Sequence, residues 1–272
     1  MQLFSRKIGS GYPAVILHGL FGMSDNWVSI AKELAHHGFG VHLLDLRNHG
    51  RSPHTLTHTY KEMCEDLLSY FRDENITRAC LVGHSMGGKL AMWFGLLYPE
   101  KLSHLTVVDI APSNYSKHNA GYHSNIIHNL MAIDLAAHQN RSTLLEEIRH
   151  RLNDYRLTMF LGKSIQRDEN KCFTWKLNLP VLLESLPLIS RGLDELDQNS
   201  PCGVQTLFVR GEKSDYIQAH HEKDRMKYFP ESSVTSIAGA GHWLHIEQPD
   251  RLVTALIECI VPKSCIHTVQ KI

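Results

Sequence analysis

The run Gly83-His84-Ser85-Met86-Gly87-Gly88-Lys89 constrains this chain more than any other feature of its sequence. It follows a short apolar stretch, residues 79–82, and opens a longer one, residues 85–97, in which apolar side chains return every three or four positions. A strand that turns into a helix within so few residues crowds backbone against backbone. Gly83 and Gly87 lack Cβ atoms and permit that approach, and Ser85 between them is held in a strained conformation that projects its hydroxyl. The pentapeptide alone also fits a glycine-rich turn without chemistry. Its flanking strand and helix make Ser85 a candidate nucleophile, with the amide of Met86 at the helix N-terminus placed to donate to an oxyanion.

The rest of the chain alternates in the same way. Strands are expected at residues 14–17, 40–44, 79–82, 105–109, 204–209 and 233–237, and helices at 27–37, 60–73, 85–97, 219–228 and 250–260. That order predicts an α/β fold, a mostly parallel central sheet flanked by helices on both faces. The pattern changes at residues 113–200, where β-branched runs almost vanish and Leu130, Ile133, Leu144, Leu145, Ile148 and Leu152 supply an apolar face. This segment is expected to be a helical cap inserted into a core made of residues 1–112 and 201–272, and its apolar faces are expected to line an acyl pocket.

Charge and cysteine usage exclude several function classes. The 28 basic and 28 acidic residues cancel, so no overall field gathers nucleic acid or anionic membrane. No apolar run approaches the ~18 residues of a membrane span, and the first residues lack the apolar core of a secretory signal, so a cytoplasmic protein is expected. The six cysteines, Cys64, Cys80, Cys172, Cys202, Cys259 and Cys265, show no C-x-x-C spacing and are expected to be free thiols. Paired histidines such as His36 with His37 and His220 with His221 point about 100° apart on a helix and lack further ligands, so no metal is expected.

A serine hydroxyl needs a base to become nucleophilic at neutral pH. Gly239-Ala240-Gly241-His242-Trp243-Leu244-His245 follows the last expected strand, and its glycines leave room for a mobile imidazole at His242. His245 leads into a helix and is expected to pack or cap. The loop His18-Gly19-Leu20-Phe21-Gly22 offers the Leu20 amide as a second oxyanion donor, while His18 precedes the nucleophile and is expected to brace its loop, because the order around such an elbow is serine, acid, histidine. Two carboxylates compete to orient the base. Asp109 ends the strand after the nucleophile's own strand and helix, so it opens on the same crevice, and Asp215 lies in the loop after the next strand.

Taken together, HGLFG at His18, DLRNHGRS at Asp45, GHSMGGK at Gly83, VVDIAP at Val107 and GAGHWLHIEQP at Gly239 resemble the α/β-hydrolase superfamily, and within it the YbfF-type esterases and their mitochondrial abhydrolase relatives. The resemblance implies an α/β-hydrolase fold of the eight-stranded type that hydrolyses carboxylic esters or acyl thioesters of small molecules without a cofactor. It also implies that Asp109 is the acid, so that Ser85, Asp109 and His242 form the triad. Two alternatives share this fold: a carbon-carbon bond hydrolase or lactonase with the same triad, and a ligand sensor that binds without turnover.

Overall fold

The computed structural model describes residues 1–116, 120–196 and 200–260; Cys265 and the last residues of the expected core lie outside them. The chain runs β1 (Ser5–Ile8), β2 (Tyr12–Leu17), α1 (Val28–His36), β3 (Phe39–Leu44), α2 (Tyr60–Asp73), β4 (Ala79–His84), α3 (Met86–Leu97) and β5 (Leu102–Val108). An inserted segment follows, with α4 (Ala120–Met131), α5 (Arg141–Leu152), α6 (Tyr155–Gly162), β6 (Ile165–Arg167), β7 (Phe173–Trp175) and α7 (Leu179–Ile189). The core resumes with β8 (Thr206–Gly211), α8 (Glu222–Tyr228), β9 (Ser233–Ile237), α9 (Leu244–Glu247) and α10 (Pro249–Ile260).

The central sheet has the order β1-β3-β2-β4-β5-β8-β9, parallel throughout except for β1, which pairs antiparallel with β3. All six expected strands are present. The described residues form a seven-stranded core sheet rather than the eight-stranded type that the resemblance implies. β1 escapes sequence reading because Ser-Arg-Lys-Ile has no apolar alternation; it is an edge strand whose pairing to β3, not its side chains, holds it. Residues 219–228 divide into a 3-10 turn and α8. The inserted segment is also less purely helical than expected, since β6 and β7 form a hairpin, with Arg167 stacked 4.0 Å over the Phe173 ring.

Alternation along each strand divides the core into two layers. Val15 and Leu17 of β2 face α2 and α3, where Leu67, Phe71, Leu90 and Phe94 bury against them. Ala14 and Ile16 face the opposite way, toward Ile30 and Leu34 of α1 and Leu252 and Leu256 of α10. The capping box at the start of α2 closes reciprocally between Thr59 and Glu62 and fixes where that helix begins.

The insertion is tied to the core at its neck. Lys89, four residues after Ser85 and only 2% exposed, donates from Nζ to the carbonyl of Ser113 at 2.7 Å and to that of Arg191. Its ammonium also lies 4.9 Å over the Tyr115 ring, and burial pushes its pKa down to about 7. A second tie joins Asn178, at the start of α7, to Asn48 of the core through two bonds of 3.0 Å.

Two glycines set the approach of α3 to the sheet. A Cβ on Gly83 would stand 2.2 Å from the carbonyl oxygen of Gly87, and one on Gly87 would stand 2.5 Å from the carbonyl oxygens of Leu17 and His18. Backbone atoms cannot yield as a side-chain tip can. Gly83→Ala is therefore expected to destabilise the fold by about 3 kcal/mol or more, read as a lower urea midpoint, whereas Ala at the uncrowded Gly203 should shift it by less than ~0.5 kcal/mol.

Candidate active site

Ser85 stands between β4 and α3 with φ 52° and ψ −117°, a conformation that L-residues rarely adopt. It is held there by its own amide, which donates to the Val108 carbonyl at 2.9 Å, and by its carbonyl, which accepts from the Lys89 amide at 3.0 Å. Fixing a non-glycine residue in this region costs on the order of 1–3 kcal/mol. The gain is placement, because the side chain points into a cavity rather than along the helix. Ser85 Oγ donates to His242 Nε2 at 3.0 Å, and His242 Nδ1 donates to Asp109 Oδ2 at 2.8 Å. The tautomer follows from these partners, since an ionised carboxylate only accepts.

Asp109 lies directly beyond β5, is fully buried, and also has a positive φ of 53°. Its Oδ1 accepts from the Gly211 amide at 2.9 Å, and the Ser214 hydroxyl donates to its Oδ2 beside His242. Asp215, its rival, is exposed and accepts from the Gln218 side-chain amide at 3.4 Å. The displacement of that carboxylate by one residue places Ser214, not Asp215, against the imidazole's partner.

Several contacts around His242 were not visible as such in the sequence. The Tyr216 ring stacks on the imidazole at 4.0 Å, and His84 Nε2 donates to the His242 carbonyl at 2.8 Å. His84 is the residue before the nucleophile, so the motif itself carried that signal. His245 is buried and stacks on Trp27 at 4.5 Å with an 11° interplanar angle. It braces the loop from below, as its expected packing role required.

His18 is likewise a brace. Its Nδ1 donates to the Gly19 carbonyl at 2.8 Å and its Nε2 accepts from the Leu46 amide at 3.0 Å, which joins the 18–22 loop to the loop after β3. The DLRNHGRS segment completes that support: Asp45 accepts from the Ser24 amide at 2.6 Å and from the Arg51 amide at 2.8 Å, and the Phe21 amide donates to His49 Nε2 at 3.3 Å. Leu20 thus sits on a loop pinned at both ends. Leu20 and Met86 both border the cavity beside Ser85.

The cavity has two lobes. A large one of about 360 Å³ is lined by Trp27, His242, Trp243, Ile126, Leu157 and Phe160, and a small one of about 40 Å³ lies behind Ser85 and Met86. No group of three or more His, Cys, Asp and Glu side chains among the described residues is arranged to hold a metal ion. Among the described residues, no helix is long and apolar enough to cross a membrane.

Histidines around the site, His84 and His245 buried and His123 partly so, make the fold sensitive to acid. Burial pushes His245 down to about 3 and His123 to about 4, and it lowers His84 well below the ordinary range with further help from His242. Each binds a proton more readily when unfolded, so each stabilises the fold fully above pH 6.5 and loses that contribution as pH falls toward its folded pKa. Between pH 7.5 and pH 5, His245 alone is expected to cost about 2 kcal/mol. His245→Phe, which keeps a ring against Trp27, should flatten the dependence of urea-unfolding free energy on pH over that interval by a similar amount.

Comparison with known proteins agrees with the fold. Residues 12–249 match the model of the alpha/beta hydrolase fold family. The chain is 33% identical to the esterase YbfF of Escherichia coli over 245 residues, 90% of this chain and 91% of that one. It is also 33% identical to a putative esterase/lipase of Haemophilus influenzae, over 89% of this chain and 80% of that one. Among solved structures, a marine microorganism esterase superposes with a TM-score of 0.92 at 40% identity, covering 95% of this chain and 99% of the other. The strand order, the elbow at Ser85 and these likenesses lead to one conclusion: the chain belongs to the alpha/beta hydrolase fold family.

Proposed function

We propose that this chain is a serine hydrolase that cleaves carboxylic esters, and by the same attack acyl thioesters, through Ser85, His242 and Asp109, with residues 113–200 as the cap over the site. The observation that carries the reading is the continuous hydrogen-bonded line from buried Asp109 through His242 to Ser85, at 2.8 and 3.0 Å. The esterase names of the relatives support it from outside the geometry.

In the first half-reaction Ser85 Oγ bonds to the carbonyl carbon of the substrate while its proton passes to His242 Nε2. The carbonyl oxygen becomes an oxyanion, and the amides of Leu20 and Met86 are the donors assigned to it. The carbon–oxygen bond to the alcohol then breaks, the alcohol takes the proton from His242 Nε2, and the acyl group remains on Ser85. In the second half a water gives its proton to His242 and its oxygen to the acyl carbon. The bond to Ser85 breaks, Oγ recovers the proton, and a carboxylic acid leaves. Asp109 fixes the imidazole and stabilises the imidazolium that forms in each half.

Ser85→Ala is expected to keep the fold, to lose labelling by a fluorophosphonate, and to lower kcat/KM for p-nitrophenyl acetate by several orders of magnitude. Asp109→Asn should lower it by about 10⁴-fold, while Asp215→Asn retains most activity. Retained turnover in Ser85→Ala would falsify the serine mechanism, and the opposite ranking of the two aspartate variants would move the acid to Asp215.

A further inference from the structure

The two lobes meet at Ser85, Leu20, His123 and Tyr216, which line both. His242 and Trp243 line only the large lobe, and Met86, Lys89 and Ile110 line only the small one. This division matters for the chemistry. The leaving oxygen takes its proton from His242 Nε2, so the alcohol must lie on the side that His242 lines. The carbonyl carbon's remaining substituent, the acyl chain, then points the other way, past Met86. A second constraint agrees. The alcohol leaves before water attacks, so its lobe needs an opening, whereas the acyl group stays bound to Ser85 and can be enclosed.

The walls of the two lobes differ in composition. Exposed Tyr122 and Arg156 and half-buried Asp154 stand around the large lobe. In the small lobe every lining residue is buried except the four shared ones, and Tyr60, Leu186 and Ile189 close its far side, with the Tyr60 hydroxyl donating to the Ile189 carbonyl at 2.8 Å. A space of about 40 Å³ leaves room for only a few atoms of an acyl chain.

We propose that the small lobe is the acyl site and accepts only short acyl groups, from acetyl to about butyryl, while the large lobe seats a bulky alcohol. The inference rests on the hydrolase reading above and names its substrate class: esters of short acids with large alcohols. Leu186 and Ile189, from the inserted segment, set the length limit, so the cap contributes a stop to the acyl chain rather than a channel for it.

The test uses two ester series on the full chain, each rate divided by that of hydroxide hydrolysis. With p-nitrophenol held constant and the acyl group lengthened from acetyl to decanoyl, kcat/KM is expected to peak by butyryl and to fall by about 100-fold at octanoyl. With acetyl held constant, benzyl acetate is expected to exceed ethyl acetate by about tenfold. Leu186→Ala should move the peak to a longer acyl group. Octanoyl turnover equal to butyryl turnover in the unaltered chain, or a preference for ethyl over benzyl acetate, overturns the assignment and leaves the hydrolase reading standing. Absence of turnover on every ester, with Ser85 unlabelled by a fluorophosphonate, overturns both.

Discussion

A single buried carboxylate organises this molecule. Asp109 is fully removed from solvent, and an ionised carboxylate in such a place is tolerable only if its oxygens are filled by donors. Its three donors come from two stretches: the Gly211 amide at the end of β8 and the Ser214 hydroxyl in the turn beyond it, and the imidazole of His242 after β9. Each must arrive at the same carboxyl edge of the sheet, and parallel pairing of β5 with β8 and of β8 with β9 delivers them there. The proposed catalytic arrangement is thereby also a structural one. Loosening any of these strand ends leaves a charge short of partners.

Much of this was legible in the sequence, for identifiable physical reasons. The elbow at Ser85 announces itself because close backbone approach excludes side chains at Gly83 and Gly87, and few other residues satisfy that need. The five inner strands are largely buried on both faces and so read as apolar runs, whereas β9, at the exposed edge, is marked by its β-branched residues. β1 was invisible because Ser-Arg-Lys-Ile carries one β-branched residue and no apolar run, whereas the other edge strand, β9, carries Val234, Thr235 and Ile237. The choice between Asp109 and Asp215 could be posed from spacing, but the deciding contact, Ser214 on Asp109, depends on how a loop turns. The stacking of Tyr216 on His242 and of Trp27 on His245 lay equally out of reach, since both pairs join residues whose proximity is created by tertiary folding.

The surroundings of Ser85 are expensive to build. The serine and Asp109 both occupy positive φ, and buried histidines line the same region without charge. These costs are offset by the two apolar layers on either face of the sheet, where Trp27, Phe71, Phe94 and Phe208 are almost wholly buried. Rigid packing beneath the site holds side chains in geometries that they would not adopt alone, so the core determines how accurately Ser85, His242 and Asp109 meet.

The clasp made by Lys89 has a different consequence. One ammonium from α3, the helix that begins just after Ser85, holds the carbonyls of Ser113 and Arg191, on the outgoing and returning limbs of the insertion. Both partners are main-chain atoms, so the clasp is indifferent to the side chains at those positions and to everything threaded between them. The stretch between the limbs can therefore diverge, lengthen or be exchanged for another while its anchorage stays fixed. Such a joint separates the support of Ser85 from the walls that the insertion lends to the cavity.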